Sequence, residues 1–188
     1  MDPLESLIEE HRQIRVVISA IAALVDLTAG ERRISPTPFL ELQRFIARFA
    51  DGSHHAKEEQ VLFEQMIQAG MPVEGGPLQC MLTEHEQGRK YASVMGAAAR
   101  ACLAGDWCQQ HQMLASARSW CVLLTAHTDK EDLMLYPIAQ RVISAERFEQ
   151  LPSMFQQLVP QPAYLFREAA MAVVEAAEEA AHHQRPTG

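Results

Sequence analysis

A histidine followed four residues later by a glutamate occurs twice in this chain, as His54 and Glu58 in Ser53-His54-His55-Ala56-Lys57-Glu58-Glu59 and as His127 and Glu131 in Ala126-His127-Thr128-Asp129-Lys130-Glu131. On a helix, residues i and i+4 stand one turn apart on the same face. Each pair therefore offers an imidazole and a carboxylate to one point. Two such helices facing each other can hold two metal ions with the carboxylates spanning between them. A chain that does this must be helical at both places and must bring them together.

The rest of the sequence agrees. Leu4, Leu7, His11, Ile14, Ile18, Ile21 and Val25 recur every three or four residues and predict a first helix, stopped near Gly30. Ser35-Pro36 reads as an N-cap followed by proline at the first helical position. The second helix carries Phe39, Leu42, Phe45 and Phe49 on one face, runs through the histidine pair to Met66 and ends near Gly70. Gly52 lies inside it, costs roughly 1 kcal/mol against alanine, and predicts a local irregularity just before the histidines. Met71 to Pro77 is a loop. A third helix follows with Leu78, Met81, His85, Gly88, Ala92 and Met95 in phase, and Gly105-Asp106 breaks it. A fourth runs from about Asp106 to Val142 with Trp120, Leu124, His127, Glu131 and Leu135 on one stripe.

Four long helices, short connections and no strand signal predict an all-α fold, an antiparallel up-down-up-down four-helix bundle with additional C-terminal helices. The bundle is assigned to residues 1–143 and a helical appendage to residues 144–188. In the appendage, Ser144 caps a helix to about Leu158, Pro160 and Pro162 interrupt, and an alanine-rich helix runs from about Tyr164 to Ala181. The appendage is expected to cover the bundle or to make a subunit contact, as in a homodimer.

In such a bundle His11, His54, His85 and His127 fall at the same end. A single histidine on an apolar stripe is ordinarily a hydrogen-bonded core residue. Four histidines and two glutamates converging at one level point instead to metal. The donors are nitrogen and carboxylate without thiolate, which disfavours a cysteine-rich structural zinc site and suits iron, manganese or zinc. His54/Glu58 and His55/Glu59 are both i, i+4 pairs. Continuing the stripe back from Leu62 favours His54 and Glu58, whereas continuing it forward from Phe49 lands between the two pairs because Gly52 can shift the phase. With His54 and Glu58 preferred, His55 and Glu59 become supports behind the ligands or surface groups. The expected metal ligands are His11, His54, Glu58, His85, His127 and Glu131. Two bridging carboxylates with two histidines per metal leave positions open for a bridging oxygen and a small ligand.

With these residues placed, residues 5–155 resemble the hemerythrin-like family of HHE cation-binding proteins. The segment Phe49 to Phe63 is similar to that family's second-helix signature. Gly75-Gly76-Pro77 with Met81-Leu82-Thr83-Glu84-His85-Glu86 is similar to its third-helix entry, and His127 to Glu131 followed by Leu135-Tyr136-Pro137 to its fourth. The resemblance implies a di-iron site, oxo- and carboxylate-bridged, with His11, His54, His85 and His127 as terminal ligands and Glu58 and Glu131 bridging. It implies a dioxygen, peroxide or nitric oxide ligand and an electron donor the sequence does not name. The oxygen carriers place a further histidine one turn from the third-helix ligand. Here those positions are Met81 and Arg89, giving four histidines where the carriers use five. The carriers' fourth helix uses an aspartate five residues after its histidine, where this chain has Glu131 four after His127. These departures point away from reversible carriage and toward turnover or iron release. Iron storage, delivery or repair without turnover, and a purely structural metal site, are the competing readings.

The net charge of −8 and the absence of a basic patch exclude a general nucleic-acid or anionic-membrane binder. No uncharged run approaches the ~20 residues needed to cross a bilayer. Cys80, Cys102, Cys108 and Cys121 form no CxxC pair and read as reduced thiols of a cytoplasmic protein. His111 lies 16 residues before His127, about 24 Å along a helix, too far to join the site. Tyr136, about one turn beyond Glu131, is within reach of a hydrogen bond near the site, but packing with a wet polar tip is the preferred reading.

Overall fold

The computed structural model describes residues 3–27, 33–160 and 163–184, and among them the chain is all-helical. Helix α1 spans Glu5–Leu27, α2 Thr37–Phe45, α3 Phe63–Gln68, α4 Pro77–Leu103, α5 Gln110–Lys130, α6 Tyr136–Val142, α7 Ala145–Leu158 and α8 Ala163–Gln184. Gly30 and Pro162, read from the sequence as breaks, lie outside the described residues. Helices α2 and α3 belong to one continuous run, joined through π-helical stretches at Ile46–His55 and Glu58–Leu62. Likewise α5 passes into α6 through a π-helical stretch at Glu131–Leu135. Among the described residues no helix is long and apolar enough to cross a membrane.

The boundaries follow local chemistry. Helix α2 begins one residue later than the proline rule suggested. Pro36 sits at its cap, and the Ser35 hydroxyl accepts from the Thr37 amide at 3.3 Å. Gly76 caps α4 in an extended conformation with Pro77 at the first turn, where its missing N–H costs nothing. The helices before Gly70 and Gly105 end because each glycine takes a positive φ, 97° and 100°, that a side chain would disfavour. The Ser144 hydroxyl accepts from the Arg147 amide and starts α7.

Helix α1 packs against α5 and α8, α4 against α5 and α2, and α8 also against α2. The buried apolar residues form two clusters. The larger holds Ile14, Ile21, Phe39, Phe45, Trp120 and Leu124, and α8 inserts Phe166, Ala170 and Val173 into it. The smaller holds Leu4, Leu7, Leu62, Met66, Leu78 and Leu151. Met66, Met81 and Met95 are core filler, as their apolar phase suggests. Burying a leucine or phenylalanine contributes roughly 1.5–3 kcal/mol, so two such layers can carry the cost of the polar residues held with them. Glu175, Glu178 and Glu179 line the solvated face of α8, and all four cysteines are free.

Candidate metal centre

His11, His54, Glu58, His85, His127 and Glu131 are all buried, none more than 1% exposed. They form two groups that share Glu58. One is His11, His54, Glu58 and Glu131, and the other is His55, Glu58, His85 and His127, with donor atoms in each within 4.8 Å of one another. The structure thus brings together every residue expected from the sequence and adds His55. Five histidines line the interior where the sequence reading placed four, and five is the number the resemblance gives to the oxygen carriers. Glu59 is the outside member of the ambiguous pair.

The physical reason lies in the backbone. A π turn closes its hydrogen bond over five residues and so inserts one residue into the helix. The Ala56 amide bonds back to the Asp51 carbonyl, Phe63 to Glu58 and Tyr136 to Glu131. The irregularity expected at Gly52 is this widened stretch. A Cβ on Gly52 would stand 2.9 Å from the Ala47 carbonyl oxygen, five residues back, so the turn closes over a position with no side chain. The altered phase lets consecutive residues His54 and His55 both enter the interior.

Each imidazole is fixed from behind. Nδ1 of His11 bonds Asp132 at 2.7 Å, His54 Glu10 at 3.0 Å, His85 Glu59 at 2.7 Å, His127 Glu84 at 2.9 Å and His55 Asp51 at 2.8 Å. Four of these form a closed ring. Glu10, beside His11, holds the histidine of the second run. Glu59, beside Glu58, holds that of α4; Glu84, beside His85, holds that of α5; and Asp132, beside Glu131, holds His11 of α1. A cation one turn beyond each of these histidines grips the same carboxylate: Lys57 on Glu10, Arg89 on Glu59, Lys130 on Glu84 and Arg15 on Asp132. Each run therefore presents a histidine and a cation three or four residues apart to its neighbour's acid.

These bonds set the tautomers. A neutral histidine that donates from Nδ1 carries a lone pair on Nε2, and here the Nε2 atoms turn inward. His85 and His127 bring Nε2 to within 3.0 Å of each other. His11 and His127 hold Nε2 3.2 and 3.1 Å from Glu131 Oε2, and His54 lies 3.6 Å from Glu58 Oε2. Nε2 of His54 and His55, Glu58 Oε2 and both oxygens of Glu131 are buried without a hydrogen-bond partner. Acceptors facing acceptors out of water are costly, several kcal/mol for an uncompensated carboxylate. Only a cation or protons placed between them remove that cost.

The titration behaviour matches. Burial, with His85 alongside, pulls His55 down to about 4, and burial with His11 and His55 nearby pulls His54 well down. Both imidazoles are neutral at pH 7. Burial also opposes protonation of His127, but Glu131 overrides it and pushes His127 up to about 9. Burial and the neighbouring Glu131 hold Glu58 well above the carboxylate range. A metal bound among such groups would displace the protons they carry.

Tyr136 differs from its sequence reading. It is 2% exposed, stacks on the His11 ring, and donates its hydroxyl to Glu58 Oε1 at 2.6 Å. His111, His182 and His183 are exposed and take no part. Apart from Glu59, the supporting acids were the residues sequence reasoning missed. Their signal was an acid adjacent to a ligand on each run, but which histidine each acid serves depends on how the helices pack.

The family model for the Hemerythrin HHE cation binding domain matches residues 2–139. The chain belongs to this family. Among curated relatives, this HHE-domain chain is 27% identical over 154 residues to Uncharacterized protein Rv1995 of Mycobacterium tuberculosis and to Uncharacterized protein Mb2018 of Mycobacterium bovis. The alignment covers 81% of the chain and only 59% of each relative's own length. No solved structure matches it. Helices α7 and α8 lie beyond the family match.

Proposed function

We propose that this protein is a non-haem di-iron protein that binds two irons between His11, His54, His55, His85, His127, Glu58 and Glu131, and that it senses, scavenges or processes a small oxidant. The observation that carries the reading is the inward convergence of the histidine Nε2 atoms on carboxylate oxygens that have no hydrogen-bond partner, with every Nδ1 already committed to an acid. Five nitrogens and two carboxylates suit iron in preference to the softer metals that thiolates select. Glu58, common to both donor groups, would be shared between the two metals, and Glu131 lies near His11 and His127, one from each group. The underlying architecture is read as an antiparallel up-down-up-down bundle, which is what lets one end of four runs meet.

Two irons, when bound, supply the one-electron steps that dioxygen, peroxide or nitric oxide requires. The residues do the rest. The five acids keep the imidazoles oriented and raise their basicity. The two apolar layers limit water. Tyr136 keeps a phenolic proton inside the site, because burial and the nearby Glu58 and Glu131 hold its pKa well above the ordinary value. The hydroxyl that carries it donates to Glu58 Oε1.

The test is metal content together with the absorption spectrum of iron-loaded protein, reduced and then exposed to air. Near two irons per chain, with near-ultraviolet absorption that bleaches on reduction and returns, is the expected result. A single metal, or an unchanging spectrum with two irons, overturns the redox reading.

A further inference from the structure

A cavity of about 510 Å³ lies between α1, the Ile46–His55 stretch, α7 and α8. Its volume falls in the range of small-molecule sites, roughly 300–1,000 Å³. Its apolar lining is Phe49, Phe155 and Phe166 with Pro152, Val159 and Pro160. Its polar lining is Ser6, Glu10, Ser53, Lys57 and Gln156. A second chamber of about 350 Å³ shares Ser6, Glu10 and Phe166 with it and adds Arg167. The walls given by α7 and α8 lie outside the matched family domain.

We propose that this cavity binds a small amphipathic carboxylate, with an apolar body against the three phenylalanines and its carboxylate on Lys57. The choice of head follows from donor and acceptor counts. Glu10 has committed both oxygens, Oε2 to His54 and Oε1 to Lys57. Lys57 is buried and has three donors, of which Glu10 takes one. The polar lining therefore offers donors, and an acceptor satisfies them where an ammonium would not. Arg167 in the adjoining chamber adds a second positive charge, while Glu9 there is already held by Arg12. The apolar lining selects a body of alkyl or aromatic carbon. Because Glu10 bonds both Lys57 and His54, the ligand head would sit one residue away from the support of an interior imidazole. The binding itself does not depend on the metal reading.

The experiment is a titration of the purified full chain with carboxyl-¹³C octanoate, followed by its carbon resonance and by calorimetry, and repeated with octylamine. Saturable one-to-one octanoate binding, at least tenfold tighter than octylamine, is expected. Lys57→Met should weaken it at least tenfold, and Val159→Trp, which adds bulk to the apolar lining, should weaken it similarly. Circular dichroism verifies that both variants are folded. Absence of saturable octanoate binding by the wild-type chain, equal binding of octylamine, or wild-type affinity in folded Val159→Trp overturns the proposal. Metal content measured on the same samples reports separately on the di-iron reading.

Discussion

The Tyr136 hydroxyl reaches across the bundle to Glu58 Oε1 at 2.6 Å, linking the start of α6 to the carboxylate that both donor groups share. The bond joins the two HxxxE runs at their inner faces, and it places the phenol within 3.4 Å of His11 Nε2. Tyr136→Phe removes the donor and leaves a buried acceptor. We predict a loss of about 1–3 kcal/mol in the metal-free protein, measured by urea unfolding, with two metals still bound after loading. A variant as stable as wild type would show that Glu58 does not depend on this donor.

His55 and Glu59 separate the two kinds of role. His55→Ala removes a donor facing the interior and is predicted to lower metal content from two per chain toward one. Glu59→Ala removes the support of His85 and should keep two metals with affinity reduced about 10–100-fold. Elemental analysis and a chelator competition distinguish them. The reverse pattern would place Glu59 inside.

Gly52→Ala tests the widened turn. Its Cβ would meet the Ala47 carbonyl at 2.9 Å, and backbone yields less readily than a side chain. A cost of about 1–3 kcal/mol is predicted, accompanied by loss of metal bound through His54 and His55. Thermal unfolding and metal content together read the outcome. An alanine variant with wild-type values in both would mean that the turn tolerates a side chain.

Acid should unfold the metal-free protein through the supporting acids. A hydrogen bond from His85 outweighs burial and holds Glu59 at about 2; burial works against Glu84, but its bonds from His127 and Lys130 hold it at about 2 as well. A carboxylate with a depressed folded pKa contributes stability that is present above its unfolded value, here 4.5, and is lost as pH falls toward the folded one. Stability of wild type should therefore fall between pH 4.5 and 2, and Glu84→Gln should flatten that slope. Both groups keep partial solvent contact, so the effect is modest. Parallel slopes for the two proteins in denaturant titrations at each pH would count against it.

The helical class, the four long runs and six of the seven interior residues were legible because apolar spacing and the HxxxE pairs are local signals. His55 was not, because the stripe forward from Phe49 fell between the two histidines and the choice rested on the stripe back from Leu62, which itself crosses a π turn. The supporting acids were visible as residues and illegible as partners. Asp132 follows Glu131 in sequence yet serves His11 of α1, a pairing that depends on how α1 and α5 pack. Tyr136 looked like a packing residue because nothing in Leu135-Tyr136-Pro137 records that Glu58 stands opposite.

The π turns give the centre an unusual dependence on chain length. Whether His55 faces the interior is decided by one extra residue upstream as much as by the identity of position 55. Removing a single residue between Ile46 and Asp51 would rotate the following helix by roughly 100° relative to its neighbours unless the turn relaxed to α. The widened turn can absorb that loss by closing over four residues instead of five. A one-residue deletion here is therefore predicted to leave the bundle folded and withdraw a histidine, which metal content and circular dichroism on the shortened chain would show. Sequences that share every ligand letter can on this account hold different numbers of interior nitrogens.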